Sequence, residues 1–332
     1  MSWMLLLGPG CSAPKVPKQP IRGAWLAEYA RKELTSPEAF GALRRMKELG
    51  VRWLAVGPEA TMPDMHRPEI TFGQHDASLI RYLRMARKLG FRILLLPRIE
   101  SPSFFRPPYP FRADIAMKNE LDWILFYENY QHMLLHYAKL AQKEKVDILA
   151  VGLEYRKSIQ LHPGRWKEMI AAVRKVFRGR LTYSANWWKE YEEVEFWDSL
   201  DLIGIGAYFE VAKKASEEIS RLLRHWLPIK KHLRKLSKKF GKPVLFSEMG
   251  YPSFADAGRY PWKWQGNNKR KLDTKHQADC YEAMFRSFFG EGWFAGLFIW
   301  RFYTSHLYMN AWEYTPEGKP AEEVIRHWFD SP

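Results

Sequence analysis

Two glutamates stand where a carboxylate could do chemistry: Glu154 in "LAVGLEYRKS" and Glu248 in "VLFSEMGYPS", each directly behind an apolar run of strand length. Two carboxyl groups at strand ends are what cleavage of a glycosidic bond requires. One must be protonated to supply the leaving oxygen with a proton, and the other ionised to meet the oxocarbenium-like carbon. Taken singly, either residue could instead be a polar strand end paired with Arg98 or Arg301.

The residues behind the other apolar runs widen the constellation: Trp25, Glu28, Glu59, Arg98, Glu100, Tyr155, Asn186, Trp187, Tyr208, Tyr251, Trp300 and Arg301. Carboxylates, aromatic rings, an amide and arginines together suit a carbohydrate, with rings to stack on and polar groups to meet hydroxyls. The sequence has no His/Asp/Glu set at metal-ligand spacing, no P-loop, no G-x-S-x-G elbow and no G-x-G-x-x-G. Metal, nucleotide and acyl-transfer chemistry therefore find no support, and neither metal nor cofactor is expected.

The elements that must hold these residues repeat along the chain. "RRMKELGVRWLAV" (44–56) and "RMARKLGFRILLL" (84–96) each read as the end of an amphipathic helix, a glycine suited to the left-handed C′ position, and a strand. Ser36 and Pro37 have the character of an N-cap and first helical residue, followed by an apolar stripe of Phe40, Leu43, Met46 and Leu49. Strands are predicted at 21–28, 51–57, 92–99, 146–153, 180–186, 201–208, 242–248 and 294–300, with helices between or after them. Runs such as "RILLLP" and "VDILAVG" are apolar throughout, as in a parallel sheet covered on both faces. Eight strands and eight helices in 332 residues predict a single (β/α)₈ barrel spanning 21–332, an α/β fold whose strand C-termini converge on one mouth.

Residues 1–20 fall outside that pattern. "MSWMLLLGPGCSAPK" couples a short apolar run to a small residue before Cys11, which resembles the tail of a bacterial lipoprotein signal, although no basic region precedes the run. It predicts export and membrane attachment through lipidated Cys11, the alternative being a cytoplasmic leader. "APKVPKQP" then reads as a tether. The other cysteine, Cys280, falls in a predicted helix, so no disulfide framework is legible.

Composition adds two features. Aromatic residues make up 15% of the chain, which favours stacking platforms, and the net charge of +15 would draw polyanions. The segment 221–242 carries nine Lys and Arg and no acid, with Leu222, Trp226, Ile229, Leu233, Leu236 and Phe240 as an apolar stripe. Its simplest reading is an outer barrel helix with a solvated basic face. Basic and aromatic residues are not interleaved as in nucleic-acid modules, so no nucleic-acid partner is expected. The loop "GRYPWKWQGNNKRKLDTKHQ" offers Tyr260, Trp262 and Trp264 as a cleft wall or as rim packing, and His66, His162 and His276 read as surface or capping residues.

At these strand ends the sequence resembles clan A glycoside hydrolases, most closely glycoside hydrolase family 113, whose known members are (β/α)₈ retaining endo-β-1,4-mannanases. The resemblance rests on Gly152-Leu153-Glu154, Ala185-Asn186-Trp187, "LIGIGAYF" with Tyr208, Ser247 to Tyr251, Trp300 and "GKPAE" at 318–322. It implies that Glu154 is the general acid/base and Glu248 the nucleophile, that Tyr208 hydrogen-bonds the nucleophile, and that Trp300, Asn186 and Trp187 line the subsite attacked. Two departures stand out. Leu153 replaces the asparagine that many clan members place before the acid/base. Leu96 and Arg98 occupy the places of a lysine and a histidine. Arg98 could grip a carboxylate on an acidic glycan, or pair with Glu59 or Glu100. A barrel that binds carbohydrate but has lost catalysis is the alternative these departures leave open.

Overall fold

The eight barrel strands follow the predicted runs closely in the computed structural model, which describes residues 19–27, 35–263, 270–304 and 311–330. The described residues form ten strands: β1 (Ile21–Ala27), β2 (Trp53–Val56), β3 (Glu59–Thr61), β4 (Arg92–Leu95), β5 (Arg98–Glu100), β6 (Ile148–Leu153), β7 (Arg180–Asn186), β8 (Ile203–Gly206), β9 (Val244–Met249) and β10 (Phe294–Tyr303). Eight of them close a barrel in the order β1-β10-β9-β8-β7-β6-β4-β2. Every pairing is parallel.

The third predicted strand, 92–99, splits into β4 and β5, and a short strand, β3, forms just beyond the second. Pro58 and Pro97 bring no N–H to the ladder, so β2 and β4 end before them. The chains then re-pair as the small parallel sheet β3–β5, with Glu59 opposite Arg98 and Thr61 opposite Glu100. This annex extends one wall of the mouth beyond the barrel.

The outer layer consists of α1 (Pro37–Glu48), α2 (Asp76–Lys88), α3 (Glu120–Lys143), α4 (Arg156–Leu161), α5 (Pro163–Val176), α6 (Glu190–Glu193), α7 (Ile219–Phe240), α8 (Thr274–Phe288) and α9 (Pro320–Asp330). Helix α1 starts as its sequence dictates, with the Ser36 hydroxyl accepting the Ala39 N–H at 3.2 Å and Pro37 in the first turn. Leu43, Met46 and Leu49 are buried, while Phe40 stays half-buried beneath the Arg44 guanidinium. Helix α7 buries Leu222, Trp226, Leu233 and Leu236 and ends on Gly241 in the left-handed region. Between β7 and β8 the expected full-length helix is replaced by the four-residue α6 and a 3₁₀ turn at Trp197–Ser199. The buried rings of Phe196 and Trp197 fill that sector against Tyr183, and Phe196 stacks on Trp166.

The core has two compartments. The larger lies between strands and helices, and the smaller fills the barrel with Ile21, Trp53, Leu94, Ile148, Leu245 and Phe298 among others. Packing is tight on the outer side of β6, where a Cβ on Gly152 would stand 2.8 Å from both Trp166 Cη2 and Tyr183 Cε2. Both rings are fully buried and cannot retreat. Gly152→Ala is therefore expected to destabilise the fold by about 1–3 kcal/mol, read as a lower urea midpoint at unchanged slope.

Candidate active site

Glu154 follows β6 directly and adopts φ +58, a left-handed conformation that costs a non-glycine residue on the order of 1 kcal/mol unless its surroundings hold it. Two hydrogen bonds do so. The Glu154 N–H donates to the Ser184 carbonyl at 3.0 Å, and the next N–H, of Tyr155, donates to the Tyr183 hydroxyl at 2.7 Å. The turn lifts the Glu154 side chain off the strand and into the mouth.

Glu248 lies within β9, three barrel strands away. Its strand is fixed from inside the barrel, where the Ser247 carbonyl accepts the Trp25 indole N–H at 2.9 Å and the Ser247 hydroxyl bonds that of Ser184 at 2.7 Å. That second bond passes across β8, whose Gly204 and Gly206 present no side chains. Gly206 pairs with Glu248 in register, and a Cβ there would stand 3.8 Å from Glu154 Oε1. Position 206 thus lies beside both carboxylates, and a methyl there would make only ordinary contact with Glu154.

Both glutamates line one cavity of about 610 Å³. Asn186 Nδ2 donates to Glu154 Oε1 at 2.8 Å, and the amide's orientation is set by the Trp188 N–H on its Oδ1, also at 2.8 Å. Tyr208 donates its O–H to Glu248 Oε1 at 2.5 Å. Phe111, Trp187, Trp262, Trp300 and Tyr314 supply aromatic walls, and Arg112 and Arg301 bring positive charge. Trp187 stacks on Trp262 and meets Tyr208 edge-on. Arg301 lies over the Trp300 ring and donates to the Tyr303 hydroxyl at 2.8 Å. A second cavity of similar size adjoins the first, sharing Phe111, Asn186, Trp187 and Trp262 with it. Together they form an extended cleft.

Burial raises the pKa of both carboxyl groups. Glu248 is pushed up to about 7 by burial, opposed by the Tyr208 hydrogen bond and helped by the charge of Glu154. Glu154 also rises through burial, opposed by the Arg112 charge and the Asn186 amide. Two carboxyl groups so placed favour one shared negative charge over two. Since Tyr208 holds Glu248 toward its ionised form, Tyr208→Phe is expected to move the acid limb of the kcat/KM–pH profile upward by about one to two pH units, the worth of a hydrogen bond to a charged group. A profile superimposable on that of the unaltered protein would refute this coupling.

Six of the eight predicted site residues line the cavity. Glu154, Glu248, Asn186, Trp187, Tyr208 and Trp300 come together in the cavity. Trp25 does not line it: the ring is 3% exposed and packs edge-on beneath Trp300 at 5.7 Å, supporting the platform from below. Arg98 does not line it either, because Glu59 takes its Nη2 at 2.6 Å and Glu100 its Nε at 3.2 Å. Gly57 makes this possible, as a Cβ there would stand 2.4 Å from Arg98 Nη1. Glu100 in turn pairs with Arg112, whose Nη1 stands 4.0 Å from Glu154 Oε2. The result is a row of alternating charge, Glu59–Arg98–Glu100–Arg112–Glu154. Leu153 and Leu96, the apolar departures, belong to the packed barrel interior.

Arg112, Phe111, Tyr314 and the buried Glu190 escaped sequence reasoning, since none follows a strand directly. Burial pushes Glu190 up to about 8, opposed by hydrogen bonds from Tyr183 and Asn186 and helped by the charge of Glu154. Tyr155 and Tyr251 are buried away from the cavity. His66 bonds the Ala116 carbonyl, His162 packs on Trp123 and Tyr127, and His276 is buried at the start of α8. Cys11, Glu28 and Trp264 lie outside the described residues. Among the described residues no group of three or more His, Cys, Asp or Glu could hold a metal ion, and no helix is long and apolar enough to cross a membrane.

A closed parallel barrel with acidic residues at the ends of its fourth and seventh strands, opening on an aromatic cleft, has the architecture of a clan A glycoside hydrolase. The sequence profile of glycoside hydrolase family 113 matches residues 23–319, and the chain belongs to that family. Its fold is similar to that of the family 113 β-mannanase AaManA from Alicyclobacillus acidocaldarius in complex with ManMIm, at 28% identity over 94% of this chain and 97% of that one, with a TM-score of 0.80. A family 113 β-1,4-mannanase solved as a complex is similar at 27% identity over 95% of this chain and all of the other, also with a TM-score of 0.80. A β-glucuronidase from Ruminococcus gnavus shares the fold alone, at 12% identity over 94% of this chain and 50% of that one, with a TM-score of 0.59. No curated protein matches the chain. The protein is a glycoside hydrolase whose substrate is a carbohydrate.

Proposed function

We propose that this enzyme is a retaining β-glycoside hydrolase acting on a β-mannan-like polysaccharide or oligosaccharide by double displacement. The Glu248 carboxylate attacks the anomeric carbon while Glu154 gives its proton to the departing glycosidic oxygen, leaving the sugar bonded to Glu248. Water then attacks that carbon as Glu154 takes the water's proton, releasing the sugar and restoring both side chains. One observation carries this reading: the two glutamates open on the same cavity with different partners, a phenol on Glu248 and an amide and a guanidinium on Glu154.

The acidic-glycan alternative loses its chief residue, because the Arg98 charge is already met by Glu59 and Glu100. The β-mannanase neighbours point the same way, toward a neutral mannan-type chain in the cleft. The test is digestion of plant mannan and glucomannan alongside acidic exopolysaccharides, with the first-formed product anomer read by NMR. Release of the β-anomer from mannan is expected. The α-anomer would overturn the mechanism, and cleavage confined to acidic polymers would overturn the substrate.

A further inference from the structure

The segment after β7 folds back on itself around one buried carboxylate. Glu190 is 0% exposed, and its side chain returns along the chain to accept the Asn186 N–H on Oε2 at 2.8 Å. Two more bonds brace the same turn: Trp188 N–H to Asn186 Oδ1 at 2.8 Å, and Glu190 N–H to the Trp188 carbonyl at 2.8 Å. The other oxygen, Oε1, accepts the Tyr183 O–H at 2.5 Å. Tyr183 is itself fully buried, and its oxygen accepts the Tyr155 N–H at 2.7 Å. One carboxylate therefore holds the strand end that carries Asn186. Through a single phenol it also holds the backbone just past Glu154, where the chain sits at φ +58. Glu190 borders the second cavity but exposes no surface to it, and Tyr183 is buried and lines neither cavity, so both act through the groups they hold.

We propose that Glu190 and Tyr183 are positioning residues for the acid/base: the strut Glu190–Tyr183–Tyr155 N–H keeps Glu154 in its left-handed turn and registers its carboxylate against Asn186. This rests on the assignment of Glu154 as acid/base made above. Without the Tyr183 hydroxyl, the Tyr155 N–H loses its acceptor and Glu190 its donor, and the turn at 154 is free to relax toward ordinary backbone. The carboxyl group then reaches the leaving oxygen less well. The attack by Glu248, on a separate strand, is untouched.

Tyr183→Phe and Glu190→Gln, each nearly isosteric, provide the test, with the active fraction normalised by titration with a 2-deoxy-2-fluoro-β-mannosyl fluoride. Using kcat/KM, which reports the first displacement, the expected loss is about 10- to 100-fold on mannan or an alkyl β-mannoside, part of what a general acid contributes. On 2,4-dinitrophenyl β-mannoside, whose leaving group needs no proton, the expected change is less than about threefold on the same grounds. A crystal structure of Tyr183→Phe should show residue 154 leaving the left-handed region, or its carboxylate leaving Asn186. Equal losses on both substrates, or an unchanged ratio with Glu154 unmoved, would overturn the proposal. Should the unaltered protein cleave no β-glycoside, the dyad assignment fails on its own, while the crystallographic comparison still decides whether the strut sets Glu154.

Discussion

Glu248→Ala should lower kcat on a cleavable β-glycoside by about 10⁵-fold or more, the scale seen when a covalent nucleophile is removed from a site that otherwise stays intact. Among the described residues the carboxylate bonds only the Tyr208 side chain, so its loss disturbs little else. Oligosaccharide affinity, measured by calorimetry, should stay within about tenfold, because the aromatic walls remain for a sugar to stack on. Mass spectrometry supplies an independent check. The unaltered enzyme should gain the mass of one 2-fluoroglycosyl group on a peptide containing Glu248, and the variant none. Turnover within about tenfold of the unaltered enzyme, or labelling at another residue, would end the double-displacement reading.

The second large effect is selective. In Glu154→Ala, kcat/KM for mannan or alkyl glycosides is expected to drop by about 10²- to 10⁴-fold, the range for loss of general-acid help, whereas dinitrophenyl glycosides should retain most of theirs. Their kcat should fall, since water now attacks the glycosyl-enzyme without a base. Azide, a nucleophile with no proton to surrender, should restore it and yield a β-glycosyl azide. Uniform loss across leaving groups, with no response to azide, would remove Glu154 from the acid/base role.

The barrel was legible because its signals are local. Each helix-glycine-strand repeat announces a βα unit, and strand ends in a closed parallel sheet must share one face, so Glu154 and Glu248 could be placed together from their flanking runs alone. Arg98 shows where that logic stops. Which of Glu59, Glu100 and substrate would claim its guanidinium depended on the β3–β5 register, and that pairing exists only because two prolines end β2 and β4 early. Trp25 points inward because of pleat phase within β1, which its strand-end position alone does not reveal. Arg112 comes from the 19-residue connection between β5 and α3, where no periodicity marks a side chain as pointing into the mouth. Glu190 looks like the first residue of an ordinary acidic helical turn, "EYEE", and only the backward fold of its side chain gives it a different role.

The row from Glu59 to Glu154 has a consequence for the enzyme at rest. When Glu154 holds its proton, two guanidiniums face two carboxylates and that flank of the cleft is electroneutral; when Glu154 releases the proton, the same flank carries an uncompensated anion. With Glu154 as the proposed acid, the balanced condition is the one in which it waits loaded for an incoming glycoside. On the proposed mechanism, proton donation runs against that balance and the second displacement redresses it with a proton from water, so a full cycle would begin and end on the same even electrical footing.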